Sequence, residues 1–121
     1  SNLATFLNTL TVLYRESENF TKAEVFQRRV LSIWEKVLGK DHPGVIIYVL
    51  KLAAFCHKQN KLAEAEPHYK RVLASWQSSG LDNLNNAIVM EKLSELYKAL
   101  GKIDESAKLM NSAKLIRYTF Q

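Results

Sequence analysis

The chain has 121 residues, 47% hydrophobic and 24% charged, with 17 basic and 12 acidic side chains for a formal charge of +5. That length suits one compact core, and the composition excludes a disordered tail. Four glycines and two prolines are too few for an all-β chain, and the single cysteine excludes an internal disulfide. No apolar run approaches the roughly 18 to 20 residues of a membrane span, and no charged-then-apolar leader opens the sequence. A soluble chain in a reducing, cytoplasmic compartment is therefore expected.

Taken in chain order, apolar residues recur three or four apart, which predicts helices near residues 3–17, 21–38, 44–58, 62–78, 83–99 and 103–118. Thr21 with Glu24 reads as a capping box, both side chains returning to free backbone donors at the start of the second helix. Gly39-Lys40-Asp41-His42-Pro43-Gly44 is the strongest loop signal, and Pro43 suits the first turn of the helix after it. Asn60 and Gly101 end the third and fifth helices with residues that tolerate left-handed geometry, and Ser78-Ser79-Gly80 closes the fourth.

The sequence also repeats itself. Arg28-Arg29-Val30-Leu31 recurs as Lys70-Arg71-Val72-Leu73, and Trp34 as Trp76, each 42 positions on. The same shift lays Leu10 on Leu52, Phe20 on Leu62 and Ala23-Glu24 on Ala65-Glu66. A third copy follows at 41, carrying Ala53 to Ser94, Cys56 to Tyr97, Asn60 to Gly101, Glu64 to Glu105 and Val72 to Ala113. Periods of this size mark stacked helix pairs, none of which can bury its apolar side without a neighbour.

These residues resemble tetratricopeptide repeats of the long variety found in kinesin light chains. Trp34-Glu35-Lys36-Val37-Leu38-Gly39-Lys40-Asp41-His42-Pro43 is similar to that family's spacer. Lys61-Leu62-Ala63-Glu64-Ala65-Glu66-Pro67-His68-Tyr69-Lys70-Arg71-Val72-Leu73 is similar to its second helix. Ala53, Ser94, Tyr14 and Tyr97 stand at the small and aromatic positions of its first helix. The resemblance implies an all-α fold, a right-handed α-α superhelix of three helix-turn-helix repeats. Residues 1–121 then form one domain with units near 3–43, 44–82 and 83–121, cut from a longer array. It implies a non-enzymatic adaptor that holds a peptide segment of a partner protein in a concave groove. It also places an Asn on the concave face of the first helix; Asn8 matches, whereas Leu50 and Glu91 stand at the equivalent positions.

In such a superhelix the first helix of every unit lines the groove. Residues related by the repeat shift then form rows: Thr5, Ile47, Ile88; Asn8, Leu50, Glu91; Val12, Ala54, Glu95; and Arg15, His57, Lys98, with Lys58 beside the last. The expected peptide-binding residues are Asn8, Val12, Arg15, Ile47, Leu50, His57, Lys58, Glu91, Glu95 and Lys98. They make an apolar floor, a basic side and an acidic patch whose repulsion Lys92 and Lys98 offset, and the fitting partner is a segment with an apolar anchor flanked by Asp or Glu. A structural or oligomerising segment of a longer solenoid is the alternative. A third reading is nucleic-acid binding through the basic pairs Arg28-Arg29 and Lys70-Arg71 on the convex wall, and the interspersed Glu24, Glu35, Glu64 and Glu66 argue against it.

No constellation carries catalysis. Cys56 and His57 are adjacent, hence more than a quarter turn apart on a helix, and Cys56 holds a packing position as a buried structural thiol. His57 and His68 lack a third ligand for a metal, and the isolated glycines build no phosphate loop. No catalytic residue, metal, cofactor or small-molecule substrate is expected. Leu3, Phe6, Leu7 and Leu10 at one end, and Leu115, Ile116, Tyr118 and Phe120 at the other, lack a flanking repeat and predict self-association.

Overall fold

The computed structural model describes residues 5, 7, 9, 19–78 and 84–119. Among them are five helices: α1 (Phe20–Leu38), α2 (Pro43–Lys58), α3 (Leu62–Ser78), α4 (Leu84–Ala99) and α5 (Ile103–Thr119). Each lies within two residues of its predicted range, and no strand occurs among the described residues. Of the predicted first helix, Thr5, Leu7 and Thr9 are helical, with Leu7 buried. The rest, including Asn8, Val12, Arg15 and the expected end residues Leu3, Phe6 and Leu10, lies outside the described residues, as does Phe120.

The ends of the helices follow from side-chain chemistry. At the start of α1, Asn19 caps the helix by accepting from the Lys22 amide at 3.4 Å, two residues earlier than a Thr21 cap would. The expected capping box is absent because both of its members are engaged elsewhere. The Thr21 hydroxyl donates to Gln59 Oε1 at 3.2 Å, and the Glu24 carboxylate is held by side chains of α1, α2 and the following turn. His42 caps α2 through Nδ1, which accepts from the Gly44 amide at 3.0 Å, and Pro43 takes the first helical position, where its missing N–H costs nothing.

The two turns that close helix pairs are built alike. Asn60 has φ 61° and Gly101 φ 81°, and the residue after each returns its amide to the last turn: Lys61 to the Cys56 carbonyl at 2.9 Å, Lys102 to the Tyr97 carbonyl at 2.8 Å. A single left-handed residue thus reverses the chain and satisfies a helix-end carbonyl that would otherwise be orphaned.

The chain divides into two compact units, residues 1–68 and 69–121. The first is centred on α2, which buries Val45, Ile46, Val49, Leu52, Ala53, Phe55 and Cys56. Fully burying a side chain such as Ile46 or Leu52 stabilises the unit by about 1.5–3 kcal/mol. In the second unit, Ala87, Met90 and Ala113 form a core against which Leu73, Leu109 and Ile116 pack.

Within that second unit α4 and α5 cross at Ser94 and Ser106. The Ser94 hydroxyl donates to the Ser106 carbonyl and the Ser106 hydroxyl to the Ser94 carbonyl, both at 2.9 Å, with the two hydroxyl oxygens 2.9 Å apart. Only small side chains permit backbones that close. Ala53 and Ala65, 41 residues earlier, are both 0% exposed and hold the same register, as does the fully buried Ala23. Enlarging Ala65 to Leu should therefore cost about 1–3 kcal/mol by overpacking. Urea denaturation with unchanged helicity checks this, and an unaltered midpoint would refute the register.

Candidate functional site

Among the candidate binding residues within the described chain, four lie on α2. Ile47 is 46% exposed, Leu50 and His57 are half-buried and Lys58 is exposed. Ile47 stays open although its neighbours Val45, Ile46 and Val49 are fully buried, because the helical period turns position 47 away from the core. Tyr48, one residue on, stacks on Trp34 of α1 with ring centroids 6.4 Å apart and planes 14° apart, and the Lys51 ammonium lies 5.4 Å from its centroid. This aromatic pair fixes α2 against α1 and so sets the direction in which Ile47 and Leu50 point.

The other three, Glu91, Glu95 and Lys98, lie on α4 together with Ile88, which is 44% exposed. Glu91 does not contribute a free negative charge. Arg117 of α5 grips both of its oxygens, Nε at 2.7 Å and Nη2 at 2.6 Å. The hydrogen bond from Arg117, set against a smaller cost of burial, holds the Glu91 carboxyl below the usual range. The charge of Lys92 acts in the same direction, as expected, and the two-point guanidinium fork of Arg117 is the larger influence. The signal that would have found Arg117 is its register, since it stands where Trp34 and Trp76 stand in the preceding repeats.

A second polar constellation, in the first unit, has Glu24 at its centre. The carboxylate is 6% exposed yet carries four donors: Arg28 at 2.9 Å, Gln59 at 3.1 Å, Lys61 at 3.3 Å and the Cys56 thiol at 3.2 Å. Burial pushes its pKa up, but the hydrogen bonds from Cys56, Arg28, Gln59 and Lys61 outweigh it and hold the group down at about 2. For Cys56 every major influence acts in one direction. Burial, the bond to Glu24 and that carboxylate's charge push the thiol up to about 12. A thiol so firmly protonated is no nucleophile.

Glu64 completes a trio with Glu24 and Cys56 whose ligand atoms lie within 4.8 Å of one another. A cation there would have to displace Lys61 and Arg28 from Glu24 and a proton from Cys56, so the donor set suits an ion-paired strut better than a metal. In the next repeat the corresponding place is filled differently. Tyr97 stands at the Cys56 position, and the ammonium groups of Lys70 and Lys102, at the Arg28 and Lys61 positions, lie 5.8 and 5.4 Å from its ring centroid.

A family model described as "Tetratricopeptide repeat" matches residues 45–114, and a second with the same description matches residues 3–44. A search of curated proteins finds no match. Among solved structures, BtubC (BKLC) from P. vanneervenii is similar at 22% identity and a TM-score of 0.86, over 97% of this chain and 47% of that one. Two crystal structures of a Podosopora anserina kinesin light chain-like protein with nearly identical TPR-like repeats are also similar. One has 18% identity and a TM-score of 0.83, over 100% of this chain and 58% of that one. The other has 19% identity and a TM-score of 0.81, over 97% and 56% respectively. This chain thus spans about half the length of the solved structures it matches.

The Glu24 cluster generates a pH prediction. Its folded pKa of about 2 lies below the ordinary 4.5, so its contribution is present above about pH 4.5 and is lost as the pH falls through 2. Glu24→Gln should lower stability at pH 7 by about 1–3 kcal/mol, the half-exposed Arg28 and Lys61 keeping it below the full shift. The difference from wild type should shrink towards zero near pH 2, as followed by urea denaturation at successive pH values. Native Cys56 should resist iodoacetamide at pH 8 and react only once the chain is unfolded.

Proposed function

The chain belongs to the tetratricopeptide repeat family, whose repeats generally mediate protein–protein interaction and generally serve as non-enzymatic scaffolds, and on that premise we propose that it is an adaptor module. It holds a peptide segment of a partner protein in the concave groove lined by the first helix of each repeat. The observation that carries this reading is the matched exposure of Ile47 and Ile88. These two branched apolar residues, at one register position of α2 and α4, are 46% and 44% open while Ile46 beside the first and Ala87 and Val89 beside the second are buried. Single exposed apolar residues are ordinary, but recurrence in register on the ligand-facing helix is not.

The fitting segment has an apolar anchor flanked by Asp or Glu. Asn8, Val12 and Arg15 from the first helix, Ile47, Leu50, His57 and Lys58 from α2, and Glu91, Glu95 and Lys98 from α4 are its proposed contacts. The Arg117 fork supports an acidic partner, because neutralising Glu91 removes half of the charge that would repel it. Charge steers and orients such a segment, and the anchor retains it. Binding of nucleic acid through the convex pairs fits less well, since Arg28 is committed to Glu24 and Lys70 to the Tyr97 ring. No helix among the described residues is long and apolar enough to cross a membrane, and the single protonated thiol suits a reducing cytoplasm.

The test is a titration of one fluorescent acidic-apolar peptide against wild type and variants. Leu50→Asp should weaken binding more than tenfold, whereas Lys58→Ala should cost at most about fivefold, the limit for an exposed ion pair. Affinity that ignores Leu50→Asp and collapses when Arg28 and Arg29 are neutralised would end the groove reading.

A further inference from the structure

The open face of α2 carries a cation that the four groove rows do not contain. At about 100° per residue, Ile47, Leu50, Lys51, Ala54 and Lys58 fall within about a third of the helix's circumference. None of them is buried, whereas Val45, Val49, Leu52 and Cys56 on the opposite side are. Lys51 stands one turn after Ile47 and next to Leu50. Its ammonium lies 5.4 Å from the Tyr48 ring centroid, pairs with no carboxylate among the described residues, and has no Asp or Glu on its own helix. The Tyr48 ring is itself stacked on Trp34. A long side chain that would otherwise sweep through solvent is thereby held over a fixed ring at the edge of an apolar patch.

The same pair of residue types recurs 41 positions on, as Ile88 and Lys92 of α4, both exposed. Thr5 and Thr9 stand at these positions in the first helix, so the register of the fold does not demand an Ile and a Lys there. The surroundings of the two lysines differ. Glu91 precedes Lys92, Glu95 follows it by three residues on the same side of α4, and the buried Val89 stands where Tyr48 stands on α2. Beside its apolar patch α2 thus sets a cation with no acidic neighbour on the helix, and α4 does not.

We propose that Lys51 selects the acidic side chain of the partner segment, pairing with a carboxylate two positions from the apolar anchor seated on Ile47 and Leu50. Along the helix Lys51 is about 6 Å from Ile47, and side chains two positions apart in an extended segment lie on one face about 6.6 Å apart. Lys58 is about 17 Å from Ile47 and would need a carboxylate about five positions away. Tyr48 is the positioning residue, and the ammonium keeps its ring contact while it pairs. This selection rests on the groove reading and adds to it which cation is used and what spacing the partner must have.

The probes are nonapeptides of Gly and Ser with one Leu and with one Asp two positions before it, two after it, or five away, each paired with its Asn counterpart. Binding is read from the NMR shifts of the Ile47 and Leu50 methyl groups, which follow weak association. In one of the two-position peptides Asp should bind about threefold to fivefold tighter than Asn. Lys51→Gln should erase that preference, Lys51→Arg should keep it, and Lys58→Gln should leave it unchanged. Tyr48→Leu should lower the preference without changing the affinity for the Asn peptide, and Tyr48→Phe should retain it, which separates positioning of the ammonium from a purely structural role. Equal binding of Asp and Asn peptides, a preference that survives Lys51→Gln or disappears with Lys58→Gln, or one that is largest at five positions would overturn the role of Lys51 while the groove reading stands. Peptides that leave both methyl groups unmoved, or that bind Leu50→Asp as well as wild type, would overturn both.

Discussion

Two helices that cross at Ser94 and Ser106 approach until each hydroxyl reaches the other helix's backbone carbonyl at 2.9 Å. No side chain larger than Ser or Ala fits at such a contact, so the size of two residues fixes where α5 passes α4. The constraint then propagates. With the crossing set, Ala87, Met90 and Ala113 meet in one core, Arg117 comes within reach of Glu91, and Ile103 and Tyr118 are left facing outward. Ala53 and Ala65 hold the same register without hydroxyls and are equally buried, which shows that small volume, more than hydrogen bonding, is what the crossing demands.

The contacts between successive repeats obey a looser rule. Around Glu24, two cations, a thiol and an amide converge on one buried carboxylate. Around Tyr97, two lysines from the same register positions lie over an aromatic ring. The cations keep their places while the group that receives them changes from a carboxylate to a π face, since either presents negative potential to an ammonium or guanidinium. The physical requirement is a negative partner at one point, and the two repeats meet it with different chemistry.

Such substitutions explain why the site was only partly legible in the sequence. The exposure of Ile47 and Ile88 follows from helical periodicity, which any reader of the sequence can count. The neutralisation of Glu91 does not, because Arg117 lies 26 residues away and replaces a tryptophan of the earlier repeats, a change that reads as drift until α5 is folded against α4. The capping box misled for a related reason. Thr21 and Glu24 have the spacing of a local motif, but a buried carboxylate with four distant and near donors is worth more than a return bond to its own backbone.

The sequence by itself determined the helices, the turns between them and the repeat register, because these depend on interactions among residues a few positions apart. Apolar periodicity, Pro43 at a first turn, and Asn60 and Gly101 in left-handed geometry are local facts that do not need the rest of the chain. Tertiary structure alone decided which charges survive and which faces stay open. Glu24 spends its charge on α2 and the turn after it, Glu91 spends its own on α5, and Tyr118 is left without cover. A charge is cancelled or kept by its neighbours in space, and no period along the chain records who those neighbours are.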